Sequence, residues 1–150
     1  MAVTQDTFNQ YAGLGFHGQQ NTAYPAWISS KHAEGGAIGF GVAVSFGTSD
    51  HQAKLGGATS AVLIGVTVRT QAVENNAAGE SLYREDQAMS IMEKGRMFVV
   101  VSDGASQGDP VYVVPATGEL VSTAADNVAL TGARFLRSCA AGEVSEIEIK

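Results

Sequence analysis

Apolar residues alternate with small or polar residues in several short stretches of this chain. The clearest stretch is "AIGFGVAVSF", residues 37–46, which has only Ala, Gly and Ser on one side. The other side carries the large apolar residues Ile38, Phe40, Val42, Val44 and Phe46. A period of two predicts a β-strand. The side with small residues predicts that another part of the structure approaches it closely.

The same alternation recurs downstream and predicts an all-β fold. In "AVLIGVTVRT" the apolar side consists of Val62, Ile64, Val66 and Val68. Residues 93–95, Glu-Lys-Gly, separate "QAMSIM" from "RMFVVVS", which predicts a hairpin in which the glycine supplies a positive φ. "VYVV" and "LVS" flank the turn "PATGE", and "ARFLRSC" and "VSEIEIK" predict two closing strands.

About eight or nine short strands at spacings of about 8 to 12 residues favour a jelly-roll-like β-sandwich or barrel. Eighteen glycines against three prolines agree with a fold that is rich in turns. In the last strand, Ile147 and Ile149 alternate with Glu146 and Glu148, which predicts one solvated face. The one helical candidate is residues 74–86, "ENNAAGESLYRED", in which asparagines and a glycine lower the helix propensity.

The first 36 residues differ from the rest because they show no period. Residues 7–27 contain no Asp, Glu, Lys or Arg, and they hold five aromatic residues: Phe8, Tyr11, Phe16, Tyr24 and Trp27. Long irregular segments in compact domains are usually functional or disordered, and disordered tracts are poor in aromatics. We therefore predict an extended irregular N-terminal arm over residues 1–36 and a β body over residues 37–150, together one domain.

The five aromatic rings of the arm need a cover. Together they would bury roughly 750–1,250 Å², more than the few hundred Å² of contiguous apolar surface that monomers usually expose. Either the protein's own body or another chain supplies that cover. We expect a neighbouring chain to cover Phe8, Tyr11 and Phe16 and the protein's own body to cover Trp27, with Tyr24 also assigned to the partner interface.

Charge and cysteine content narrow the class of protein. The formal net charge of −6 gives no support to binding of nucleic acid or anionic membranes. A single cysteine excludes an intrachain disulfide. The N-terminus has no signal-peptide pattern, and no apolar run approaches the roughly 18 residues that span a bilayer. We expect a protein that is assembled in a reducing cytoplasm and used in solution.

No pattern in the sequence predicts a metal site or a nucleophile. His17, His32 and His51 lack the close spacing of metal ligands. Cys139 lies in a strand pattern, where a buried and inert thiol is the ordinary outcome, although Arg134 and Arg137 are near it in sequence. An enzyme that uses Cys139 and a histidine is the weakest of the functions that we consider for this chain.

Carboxylates and glycines also fail to form a recognisable site. Glu85-Asp86 and the pair Glu146 and Glu148 are explained by solvated charge, and "SDGASQGDP" by turn formation. The glycines at 13–15 and 39–41 do not continue into a phosphate-binding motif. We predict no catalytic, cofactor-binding or metal-binding residues, and hence a protein that is not an enzyme.

Several phrases of the sequence, in their order, resemble the structural cement proteins of tailed phages. The first are "QYAGLGFHGQ", "AEGGAIGFGVAVSFGTSDHQAKLG" and "LIGVTVRT". In the second half "EKGRMFVVVSDGASQGDPVYVVPATGELV" and "TGARFLRSCAAGEVSEIEI" are similar too. The resemblance covers nearly the whole chain and includes no catalytic signature.

This resemblance implies a non-enzymatic virion protein on the outer surface of the phage head. It implies a β-sandwich or jelly-roll-like body between major capsid protein subunits, which stabilises the shell against the pressure of packaged DNA. It also implies dimers or trimers at symmetry axes, and a segment containing Tyr11 and Phe16 that reaches neighbouring subunits. The alternative reading is a carbohydrate- or receptor-binding β module of a phage tail or fibre, with Tyr24 and Trp27 stacking on sugar rings.

Overall fold

The computed structural model describes residues 14–57 and 61–150, where every regular element is a β-strand. The nine strands are β1 (Trp27–Glu34), β2 (Ala43–Phe46), β3 (Gln52–Leu55), β4 (Leu63–Thr67), β5 (Ala88–Val101), β6 (Pro110–Val113), β7 (Leu120–Val121), β8 (Val128–Phe135) and β9 (Glu143–Ile149). The prediction of an all-β fold is confirmed. Within the described ranges, no helix is long and apolar enough to cross a membrane.

The strands close into two rings that share β5. In the first ring the order is β1, β3, β2, β4 and β5, and β5 also pairs with β1. In the second ring the order is β5, β7, β6, β8 and β9, and β9 pairs back with β5 over seven residues. This pairing is that of two small barrels and not of two open stacked sheets. A specific jelly-roll order stays a prediction.

The buried apolar residues form two clusters, one within the first ring and a second that joins residues of the second ring to residues of β2 and β4. Tyr83, Met89 and Ile91 are buried in the first, where the Tyr83 hydroxyl donates a hydrogen bond to the carbonyl of Val68. The second contains Phe135 and Ile147, both fully buried. Two cores joined by one continuous strand make β5 the central element of the fold.

The predicted hairpin at residues 93–95 is wrong, because β5 runs without interruption through this segment for 14 residues. Gly95 has a φ of +133°. It marks the point where β5 stops pairing with β1 and begins to pair with β9. Gly95 has the predicted positive φ, but it redirects the strand into the second ring and does not reverse it.

The close approach predicted for the small side of residues 37–46 is confirmed at Gly41, where an added Cβ would lie 2.5 Å from the imidazole of His17, but not at Gly39, which has nothing within 4 Å. The amide of Ala43 donates to the carbonyl of Gly118 at 2.8 Å, so a turn of the second ring lies against β2. A Cβ added at Gly118 would lie 2.6 Å from the carbonyl oxygen of Ala43. The apolar side is only partly buried, however, because Phe46 is 50% exposed and ends the short strand β2.

Val62, placed on the apolar side of the next predicted strand, is exposed and precedes β4. The helical candidate at residues 74–86 is wrong as well. Asn75 and Ser81 form a β-bridge there. The side chain of Asn76 accepts hydrogen bonds from the backbone amides of Ala78 and Glu80. This competition for backbone groups is the reason asparagine disfavours helices.

The predicted boundary of the arm at residue 36 differs from the structure, because β1 already occupies residues 27–34. Six residues of β1 pair with β5, and His32, Ala33 and Glu34 also pair with β3. The sequence "WISSKHAE" shows no alternation of apolar and polar residues that would predict this strand, because its side chains are mostly polar and at least partly exposed. Of the described residues in the predicted arm, residues 14–26, 35 and 36 lie outside the strands.

Candidate interaction surface

Residues 14–26, which we call the strap, lie along β5 and form hydrogen bonds with its backbone. The amide of Gly18 donates to the carbonyl of Phe98 at 2.8 Å, and the amide of Phe98 donates to Gln19 at 2.9 Å. The amide of Asn21 donates to the carbonyl of Arg96 at 2.9 Å. The described part of the arm is therefore held on the body in one register. Phe8 and Tyr11 lie outside the described residues.

Two glycines let the strap approach the body closely. A Cβ added at Gly15 would lie 2.5 Å from the ring of Phe98. Gly18 has a φ of +81°, and a Cβ there would lie 2.8 Å from the Cβ of Phe40. Any larger residue at either position would have to push the strap away from the body.

The side chain of His17 also attaches the strap to β5. Its imidazole is half-buried, and its Nδ1 accepts a hydrogen bond from the amide of Val100 at 2.8 Å. Burial, and secondly the positive charge of Arg69, lower the pKa of His17 below its usual 6.5. The neutral imidazole is the form that fits, because Nδ1 must be free of a proton to accept that bond.

The three described aromatic residues of the predicted interface all point outward. The exposed fraction is 69% for Phe16, 42% for Tyr24 and 66% for Trp27. The prediction that the protein's own body covers Trp27 is therefore wrong. Trp27 begins β1 opposite Lys94, and both side chains lie on the exposed outside of the first ring.

The aromatic side chains of Phe16 and Tyr24 stack against arginines. The guanidinium carbon of Arg96 lies 3.8 Å from the centroid of the Tyr24 ring, and that of Arg69 lies 5.7 Å from the Phe16 ring. A cation over an aromatic face stabilises both side chains by about 0.5–1 kcal/mol at exposed sites. Phe16 and Tyr24 are thus held outward at separate places on the body.

Three basic side chains surround the carboxylate of Glu148, next to Tyr24. Arg96 and Arg134 donate to its two carboxylate oxygens from Nη2, at 3.2 and 2.9 Å, and Lys150 lies 3.7 Å away. Partial burial would raise the pKa of Glu148, but the hydrogen bonds from Arg134 and Arg96 outweigh burial and hold it below the usual 4.5. This carboxylate stays charged and positions both arginines.

Glu146 is buried beneath the strap, so the predicted solvated face of β9 is wrong. Its side chain is 8% exposed. Asn21 donates to it from Nδ2 at 2.7 Å, and the guanidinium of Arg137 lies 3.8 Å away. Alternation along β9 could not reveal this cover, because Asn21 and Glu146 are 125 residues apart.

The other candidate residues lie in settings that do not favour chemistry. Burial raises the pKa of the Cys139 thiol, and the carboxylates of Glu143 and Asp103 raise it further, which is the opposite of what a thiolate nucleophile requires. The rings of His32 and His51 meet edge to face at 5.8 Å. Residues 14–57 and 61–150 hold no group of three or more His, Cys, Asp or Glu that could bind a metal ion.

Comparison with known families and structures gives consistent results. The family described as structural cement protein (E217 gp24/Pam3 gp6) matches residues 4–150. A chain from the capsid of Myoviridae Phage XM1 is similar in structure with a TM-score of 0.75 at 21% identity, covering 100% of this chain and 98% of that chain. This likeness shows a shared fold.

A second structure, the head fiber gp8.5 N base of bacteriophage phi29, has a TM-score of 0.46 at 8% identity. That alignment covers 84% of this chain and 95% of that chain, and at this TM-score it supports no argument. No curated protein matched the sequence.

Proposed function

This chain belongs to the family of phage structural cement proteins, and from that membership we propose that it binds the outer surface of a tailed-phage head. There it bridges adjacent major capsid protein subunits and stabilises the shell. Membership of this family makes the chain a structural component of the virion. The similar chain from the capsid of Phage XM1 supports the same site of action for this one.

The observation that carries the proposal is the outward presentation of Phe16, Tyr24 and Trp27 on a rigid body. These side chains are 69%, 42% and 66% exposed. Isolated exposed apolar residues are common on monomers, but aromatic side chains fixed by backbone pairing and cation contacts are typical anchors of interfaces. They lose little conformational entropy when a capsid subunit covers them.

Stabilisation of the shell then follows from mass action and multivalency. A protein that binds the assembled lattice better than free subunits shifts the equilibrium toward the lattice. An oligomer that holds adjacent subunits at once gains avidity without stronger single contacts. A dimer or a trimer satisfies this requirement equally well.

The carbohydrate-binding alternative has less support. It requires Tyr24 and Trp27 to line a common concave cleft. The two main grooves beside Tyr24 are lined by neither Trp27 nor any second aromatic residue, and they carry Lys94, Arg96 and Arg137 instead. Among the main grooves of the described residues, none has the aromatic pair that would stack on a sugar ring.

Single substitutions of the anchors test the proposal. A deletion of residues 1–27 would also remove the pairing of the strap with Phe98 and Arg96, so point substitutions are sharper. We expect Phe16→Ala and Trp27→Ala each to weaken binding to capsids by about tenfold or more, the usual effect of removing an aromatic hot spot. Binding is measured by sedimentation of labelled protein with capsids that lack it.

Phe46→Ala is the matched control, because Phe46 is also an exposed aromatic residue but lies outside the aromatic segment of residues 7–27. We expect its binding to stay within about twofold of the wild type. Unchanged melting temperatures for all three variants would show that folding is intact. Wild-type affinity in both Phe16→Ala and Trp27→Ala would contradict the assignment of these side chains to the capsid interface.

A further inference from the structure

Tyr24 stands between two grooves on the outer side of β5 and β9. One groove, of about 650 Å³, is lined by Leu14, Leu136 and Arg137 among others. The second, of about 380 Å³, is lined by Lys94 and Lys150 among others. Tyr24 and Arg96 line both grooves. We call the residues of both grooves, together with Arg134 at Glu148, the Tyr24 face.

The Tyr24 face is positively charged in a protein that is negative as a whole. Its charged residues are Lys94, Arg96, Arg134, Arg137, Lys150, Glu146 and Glu148. Five basic and two acidic residues give this face a net charge of +3. The four basic and thirteen acidic residues elsewhere give −9, which together make the −6 of the whole chain. Such a separation of charge is a means of orienting a partner.

The arginines of this face are fixed in place and still have donors to offer. Arg96 and Arg134 each use Nε and Nη2 to bond one oxygen of Glu148. A guanidinium has five N–H donors in a planar fork. The side chains of Arg134 and Arg137 remain 51% and 58% exposed. Prepositioned arginines beside a tyrosine are typical of the energetic centre of a protein interface.

We propose that the Tyr24 face docks onto a carboxylate-rich surface of the capsid lattice and so sets which side of the protein faces the shell. This inference rests on the proposed function and adds the chemistry of the partner. Leu14, Tyr24 and Leu136 supply apolar contact between the charges, as a protein surface requires. A long polyanion such as nucleic acid would extend beyond this face and be repelled by the net charge of −9 on the rest of the protein. A local protein contact avoids this repulsion, because it acts over about one Debye length of 8–10 Å.

Charge reversal at Arg137 tests this inference on the full-length protein. Arg137→Glu should weaken binding to capsids of the phage's own major capsid protein by about tenfold or more. The matched control is Arg84→Glu, because Arg84 is 59% exposed against 58% for Arg137 and lines a different groove, where it pairs with Glu74. The control should stay within about twofold of the wild type. Raising the ionic strength should weaken wild-type binding more than that of Arg137→Glu.

The outcomes separate this inference from the proposed function. If the wild type does not bind capsids, the proposed function fails. If the wild type binds and Arg137→Glu binds equally well, only the role of the Tyr24 face is overturned. An equal loss in Arg84→Glu, or a change in oligomeric state with Arg137→Glu, would likewise overturn it, since the latter would mark a contact between copies. Should Arg137→Glu fail to fold, Lys150→Glu gives the same comparison from the second groove, where the side chain is 65% exposed.

Discussion

Single polar side chains decide how the strap and the body of this protein fit together. Asn21 donates a hydrogen bond to Glu146, and His17 accepts a hydrogen bond from the amide of Val100. A buried polar group without such a partner would cost about 1–3 kcal/mol. Each of these contacts therefore fixes the register of the strap as well as its attachment. The exposed aromatics depend on that register for their positions.

His17 makes the attachment of the strap sensitive to pH. Its pKa in the folded state lies below the usual 6.5, so the folded protein binds fewer protons than the unfolded chain as the pH falls below that value. Stability is fully present above about pH 6.5 and is lost toward lower pH, by at most about 1.4 kcal/mol per pH unit for one proton. We expect the free energy of unfolding to fall between about pH 7 and pH 5.

The variant His17→Asn should flatten this pH dependence, since an amide oxygen accepts the bond from Val100 without titrating. The control His51→Asn removes an exposed histidine and should keep the wild-type dependence. Denaturant unfolding of the three proteins across this pH range measures the effect. A slope in His17→Asn equal to that of the wild type would rule out His17 as its source.

At the scale of elements, β5 joins the two rings and Gly95 makes the connection. The strand pairs with β1 and β4 on one side of this glycine and with β9 and β7 on the other. The φ of +133° is one that L side chains rarely adopt, and a Cβ would lie 2.9 Å from that of Ala26. Crowding and backbone conformation thus act at the same residue.

Gly95→Ala should destabilise the protein by about 1–3 kcal/mol, the range for a residue forced into a sparsely populated conformation. Gly36→Ala is the control for the conformational part alone, because Gly36 has a φ of +120° and nothing within 4 Å of an added Cβ. We expect Gly95→Ala to lower the midpoint of denaturant unfolding more than Gly36→Ala does. Equal midpoints would show that the crowding at Gly95 has no energetic weight.

At the scale of the whole molecule, the sequence predicts the strands better than their arrangement. Alternation identifies β2, β4, β8 and β9, because each contributes apolar residues to the cores. It does not identify β1, whose side chains are mostly polar, and it divides β5 at Gly95. The closure of two rings depends on pairings between residues far apart in sequence, which no local pattern contains.

The interaction surface could be predicted only in part for the same reason. Phe16, Tyr24 and Trp27 stand out because they form an uncharged aromatic segment without a period. Of the arginines around Glu146 and Glu148, Arg96 lies in β5, Arg134 in β8 and Arg137 just after β8, so their convergence is visible only in the fold. The sequence therefore predicts the anchors, and the fold adds the charged face beside Tyr24.

The position of this protein on the assembled phage head tests the account most directly. A cryo-electron microscopy reconstruction of decorated heads would show which subunits each copy contacts. We predict copies on the outer surface, each touching at least two major capsid protein subunits, with Phe16, Trp27 and the Tyr24 face against the shell. Copies that contact a single capsid subunit, or that lie elsewhere in the particle, would contradict the proposed bridging function.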